Sequence, residues 1–174
     1  MTGWFWQDIR TNKILAYRLG KTENTDVFRL ATYDLLGVCS PTHAWMDNTR
    51  VAANKTMTGG AHNRYRFSIK EDDPMGHLQR VGITPHFTNP SKVYGNSGAK
   101  PIERGFGVGG IHGKVASHPE FMNRGYSKKT AIPYEEVAKV VASEVARFNA
   151  QKGRRDAGCQ GEESYDDLFN RLFQ

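Results

Sequence analysis

Six of the seven prolines and ten of the eighteen glycines fall between residues 71 and 133, a clustering that constrains the fold more than any other feature of the chain. Proline fixes φ and removes a backbone donor, and glycine weakens helix and strand interiors alike. No window in this stretch keeps a hydrophobic period of 2 or 3.6 beyond a few residues, so it is expected to be extended and irregular. A structureless run of that length is unusual inside a compact domain. Disordered linkers, however, are poor in aromatics, and Phe87, Tyr94, Phe106, Phe121 and Tyr126 are spread through it. Spaced anchors on an extended backbone suit a segment that lies along another protein's surface.

The flanks carry regular patterns. Ile14-Leu15-Ala16-Tyr17 is an apolar run long enough for a buried strand or a helical turn. Residues 26–36 place Val27, Leu30, Ala31 and Leu35 at helical spacing, entered through Thr25 or Asp26 and stopped at Gly37. Cys39-Ser40-Pro41 turns the chain. Residues 63–70 alternate Tyr65, Phe67 and Ile69 with Arg64, Arg66, Ser68 and Lys70, the period of a strand with one apolar and one basic face. After Pro133, a helix to Lys152 carries Tyr134, Val137, Val141, Val145 and Phe148 on one stripe, with Glu135 and Glu136 in its first turn and Gly153 as its stop. A second helix over 164–173 starts at Ser164, with Asp167 three residues on as a capping partner, and its stripe is Tyr165, Leu168, Phe169, Leu172 and Phe173. So short a helix must dock, on its own domain or in a partner's groove. The expected class is α+β: a small mixed region over 1–70, an irregular Gly/Pro-rich basic segment over 71–132, and two helices over 133–174.

Charge is unevenly distributed. Lys and Arg exceed Asp and Glu by two in residues 1–60 and by six in 61–133, and fall short by two in 134–174, for a net charge of +6. A basic middle suits an acidic partner such as nucleic acid or an acidic protein filament. Hydrophobic residues are 38% of the chain, enough for a modest core. No apolar run approaches the roughly 18 residues of a membrane span, and the first residues lack the pattern of a secretory signal. Cys39 and Cys159 lie too far apart to form a ligand pair, and a reducing compartment is the simpler reading. The expected location is cytoplasmic, neither secreted nor transmembrane, with no membrane partner.

No motif with secure chemistry emerges. Gly105, Gly107 and Gly110 satisfy G-x-G-x-x-G, but the dinucleotide fingerprint needs a strand before it and a helix after it, and the flanking residues suggest neither. Residues 109–114 fall one residue short of a phosphate loop. His112 and His118 are six apart, matching no zinc spacing, and His43, His62, His77 and His86 stand alone. A hydrolytic site could combine His112, Lys114, His118 and Glu120, with histidine as base and lysine stabilising an oxyanion. No cofactor, metal or small-molecule ligand is expected, and no catalytic residue is assigned. The cations Arg104, Lys114, Arg124, Lys128, Lys129, Arg154 and Arg155 could meet phosphates, with the aromatics stacking on bases.

Between residues 84 and 126 the chain repeats short aromatic-Pro-Asn-Gly anchors: Pro85-His86-Phe87-Thr88-Asn89-Pro90, Tyr94-Gly95-Asn96, and His118-Pro119-Glu120-Phe121-Met122-Asn123-Arg124-Gly125-Tyr126. This pattern resembles the extended segments of microtubule inner proteins, which line the lumen of ciliary and flagellar doublets. The resemblance implies a non-enzymatic structural subunit held against an acidic, tubulin-like filament. Its contacts would be Phe87, Tyr94, Arg104, Lys114, Phe121, Arg124, Tyr126, Lys128 and Lys129. Two alternatives stand beside it: a nucleic-acid-binding protein or virion component, and a small hydrolytic enzyme using His112 or His118.

Overall fold

The aromatic run at the N-terminus forms a strand, β1 (Thr2–Gln7), which pairs with β2 (Ile14–Gly20). The short connection between them is that of a hairpin. Asp8 organises this loop: its carboxylate accepts from the Thr11 N–H and from the Thr11 hydroxyl, both at 2.7 Å. Asn12 takes the left-handed conformation (φ 60°), which asparagine tolerates better than most residues. The computed structural model describes residues 1–60, 72–88, 101–107, 110–122, 124 and 127–173. The strand expected over 63–70 and the anchors Tyr94 and Tyr126 lie outside these residues. Two compact units divide the chain: the first comprises residues 1–6 and 16–100, the second residues 7–15 and 101–174.

In the first unit, helix α1 (Thr25–Leu36) begins at Asn24, whose side chain accepts from the Val27 N–H (2.9 Å), and closes on Gly37. The N-cap is thus one residue earlier than the sequence suggested. The buried stripe is Phe28, Ala31, Thr32 and Leu35, whereas Leu30 stays exposed. Phe28 turns the helix to this face because it meets two indoles: Trp4 stacks on its ring at 4.0 Å, and Trp6 lies 5.9 Å away. Stacked and tilted aromatic pairs add roughly 0.5–1.5 kcal/mol each beyond the area they bury. Strand β3 (His43–Met46) and strand β4 (Thr84–Phe87) form a separate parallel pair. Parallel neighbours require a crossover, and the described part of this one carries two single-turn helices, α2 (Lys55–Thr58) and α3 (His77–Arg80). These meet through glycine backbones. A Cβ on Gly76 would strike the Gly59 nitrogen and sit 2.6 Å from the Met57 carbonyl oxygen, and Gly59 itself has φ +54°.

The second unit is helical: α4 (Pro101–Phe106), α5 (Ile111–Ala116), α6 (Tyr134–Ala150) and α7 (Tyr165–Phe173). The long helix buries Val140, Val141, Val145 and Asn149. Asn149 accepts from the Ile14 N–H and donates to the Ile14 carbonyl, each at 2.9 Å, and so satisfies the strand residue as a neighbouring strand would. Helix α7 starts with the reciprocal cap read from the sequence: the Ser164 N–H donates to Asp167 (2.8 Å) and the Asp167 N–H to the Ser164 hydroxyl (3.1 Å). The Lys152 ammonium, 2.7 Å from Asp167, is the first cause that holds this carboxyl well below the usual carboxylate range. The helix buries Tyr165, Leu168 and Phe169 within its own unit, with Phe173 left exposed. The Tyr165 hydroxyl donates to Asp156 (2.6 Å), and the Arg154 guanidinium lies over the rings of Phe148 and Tyr165.

The α+β class is as expected, and among the described residues of the Gly/Pro-rich stretch the elements α3, β4, α4 and α5 are no longer than six residues. Among the described residues no helix is long and apolar enough to cross a membrane. Two substitutions test the packing. Asn149→Leu keeps the branched shape but strands two backbone groups of Ile14, and should lower the unfolding free energy by about 2–4 kcal/mol in urea titrations. Gly76→Ala pushes a methyl group into backbone that has no room to move. Its cost should clearly exceed the ~1 kcal/mol centre of point substitutions, read as a fall in thermal midpoint.

Candidate functional site

The register of the parallel pair sets His43 beside Thr84, Ala44 beside Pro85, Trp45 beside His86 and Met46 beside Phe87. Because successive side chains point to opposite faces, Ala44, Met46, Pro85 and Phe87 enter the core while His43, Trp45, Thr84 and His86 line the outer face. On that face the Trp45 indole stacks on the His86 imidazole, centroids 4.7 Å apart and planes within 15°. The His43 Nδ1 and His86 Nε2 atoms are 2.9 Å apart and share a hydrogen bond. Partial burial, then the neighbouring His43, lowers the His86 pKa below its ordinary value.

The pair ends in two polar residues. The Thr88 N–H extends the ladder onto the Met46 carbonyl (3.0 Å), and its hydroxyl donates to the Asp47 carboxylate (3.2 Å). Asp47 therefore stands at the carboxyl end of the parallel strands, the end at which open α/β sheets present their ligand-handling groups. Among the described residues, no group of three or more His, Cys, Asp or Glu is placed to hold a metal ion.

The residues expected to contact a partner are distributed differently. Phe87 and Phe121 lie in the interior, at 7% and 6% exposure. Arg104 on α4, Lys114 on α5, and Lys128 and Lys129 are exposed. Arg124 pairs with Glu136 (3.2 Å). His112 is exposed on α5, while His118 packs its ring on Phe121 (5.5 Å) and accepts from the Glu120 N–H (3.4 Å), the contacts of a turn residue. Gly105, Gly107 and Gly110 belong to the junction of two short helices. A Cβ on Gly110 would collide with the Gly105 backbone, and one on Gly105 would lie 3.2 Å from the Phe148 ring. These glycines permit close packing, and Gly105 lies within α4, where the dinucleotide fingerprint demands the turn after a strand.

Sequence reasoning left His43 and His86 as isolated histidines and did not single out Trp45 or Asp47. Each strand is four residues long, too short for alternation to stand out, and Pro85 argued against a strand where β4 forms.

Comparison with known proteins supplies what the geometry leaves open. The family model described as Bacteriophage Mu transposase matches residues 1–174. A relative from Haemophilus influenzae (strain ATCC 51907 / DSM 11121 / KW20 / Rd), Mu-like prophage FluMu transposase A, is 35% identical over 184 aligned positions covering 97% of this chain. The chain spans 27% of that relative's length. These matches overturn the resemblance to microtubule inner proteins, and with it the expected structural subunit of a cytoskeletal filament, cilium or flagellum. The physical reason lies in the anchors themselves. Pro, Asn and Gly next to an aromatic also mark tight turns between short packed elements, and Phe87 on β4 and Phe121 in the turn after α5 are buried. The chain belongs to the bacteriophage Mu transposase family.

Proposed function

We propose that this chain handles DNA during transposition, with exposed cations on the phosphate backbone and Asp47 as a carboxylate brought to the reacting strand. The observation that carries the reading is the family match over the whole chain, since the matched relative is by name a transposase. Moving DNA means breaking and rejoining phosphodiester bonds. Such chemistry depends on holding the phosphates in place and managing the charge that develops on them. The net charge of +6 suits a polyanionic substrate. Arg104, Lys114, Lys128 and Lys129 are among the exposed cations of the second unit. Asp47 contributes at the carboxyl end of β3, oriented by the Thr88 hydroxyl.

Two measurements test this. Duplex DNA titrated at increasing salt should bind with a steep log–log dependence, and the double variant Lys128→Glu, Lys129→Glu should reduce that slope by about two, one counterion-releasing contact for each lysine. Absence of DNA binding even at low salt would overturn the reading. Asp47→Asn should leave DNA affinity unchanged and abolish transposition of a marked element driven by the intact gene. Full transposition by this variant would remove Asp47 from the chemistry.

A further inference from the structure

Resting on the DNA reading above, we infer that the outer face of the β3–β4 pair is a stacking platform for an unpaired DNA base, with Trp45 as the receiving surface and His86 and His43 as its backing. Trp45 is 44% exposed, while the other two tryptophans, Trp4 and Trp6, pack on Phe28. Parallel strands are usually covered on both faces. An aromatic left open on such a face has a polar-edged, planar surface, the surface that nucleobases favour.

The backing is rigid. The His86 ring lies parallel to the indole, and its Nε2 hydrogen bond to His43 holds it against rotation, with the His43 ring a further 5.7 Å from Trp45. A platform fixed before the ligand arrives loses little side-chain entropy on binding.

Charge points to a polyanionic occupant. The first unit carries eleven Lys and Arg against seven Asp and Glu, and the platform residues His43, Trp45, Thr84 and His86 include no carboxylate. Position points to the reacting strand. Trp45 precedes Asp47 by two residues along the same extended backbone, a rise of about 7 Å. A base in intact duplex already stacks on both sides, so this surface selects one that is unpaired or turned out of the helix.

The test compares fluorescein-labelled single-stranded and duplex oligonucleotides of one sequence, by anisotropy at fixed salt, with the 174-residue chain. Trp45→Ala should weaken single-strand binding about tenfold, the scale of one base–aromatic stack. Duplex affinity and the salt slope should stay unchanged, and Trp45→Phe should recover most of the loss. Quenching of tryptophan emission by the single strand, absent in Trp45→Phe, reads the same contact without opening a cavity. Unchanged single-strand affinity in Trp45→Ala, equal losses on both DNA forms, or wild-type emission indifferent to the single strand would each overturn the platform. If wild-type protein binds neither form, the DNA reading itself fails. If it binds both and Trp45→Ala alters neither, the platform alone does.

Discussion

The carboxamide of Asn149 offers Ile14 what a neighbouring strand would offer: an acceptor for its N–H and a donor for its carbonyl, both at 2.9 Å and both shielded from water. A two-stranded hairpin is marginal in water unless a helix or further strands cover it. Asn149 belongs to α6, and its amide pair fixes that helix to Ile14, the first residue of β2. The rest of the second unit follows from that attachment. Once α6 is set, Arg154 can lie over Phe148 and Tyr165, and Asp156 can accept from both Tyr165 and Asn12. Asp167 then closes the start of α7 while meeting Lys152. The first unit has an apolar counterpart in the Trp4, Trp6 and Phe28 cluster, where ring geometry rather than hydrogen bonding sets the helix face.

The functional features concentrate where this scaffold leaves polar or aromatic groups unabsorbed. The parallel pair buries Ala44, Met46, Pro85 and Phe87, which is enough to hold it in place. Its opposite face and its carboxyl end stay outside the core. Trp45, His86 and His43 form one continuous set of rings on that face, and Asp47 with Thr88 closes the strand ends. Placing the rings on strands rather than loops keeps their geometry narrow.

The microtubule resemblance failed for a definite reason. Short motifs of Pro, Asn, Gly and an aromatic describe the turn chemistry of a chain, not its partner. The same residues serve an extended arm, where the aromatic faces outward, and a set of short packed elements, where it faces inward. Phe121 shows the second case: it is buried, with His118 against its ring. Orientation follows from tertiary packing, and a local pattern does not encode it.

Much of the helical part was legible from the sequence alone. Period and caps located α1, α6 and α7 within a few residues, because Gly37, Pro133 and the Ser164–Asp167 pair act locally on the backbone. The basic surplus and the lack of any long apolar run were equally evident. Tertiary structure decided the rest. It turned α1 onto Phe28 instead of Leu30, and used Asn149, a polar residue beside an apolar stripe, as a strand mimic. It also paired His43–Met46 with Thr84–Phe87 across a long crossover. A four-residue strand has too few alternations to declare itself, and only its partner fixes which side chains face outward. The imidazole–indole stack and the position of Asp47 therefore exist only once the two strands meet.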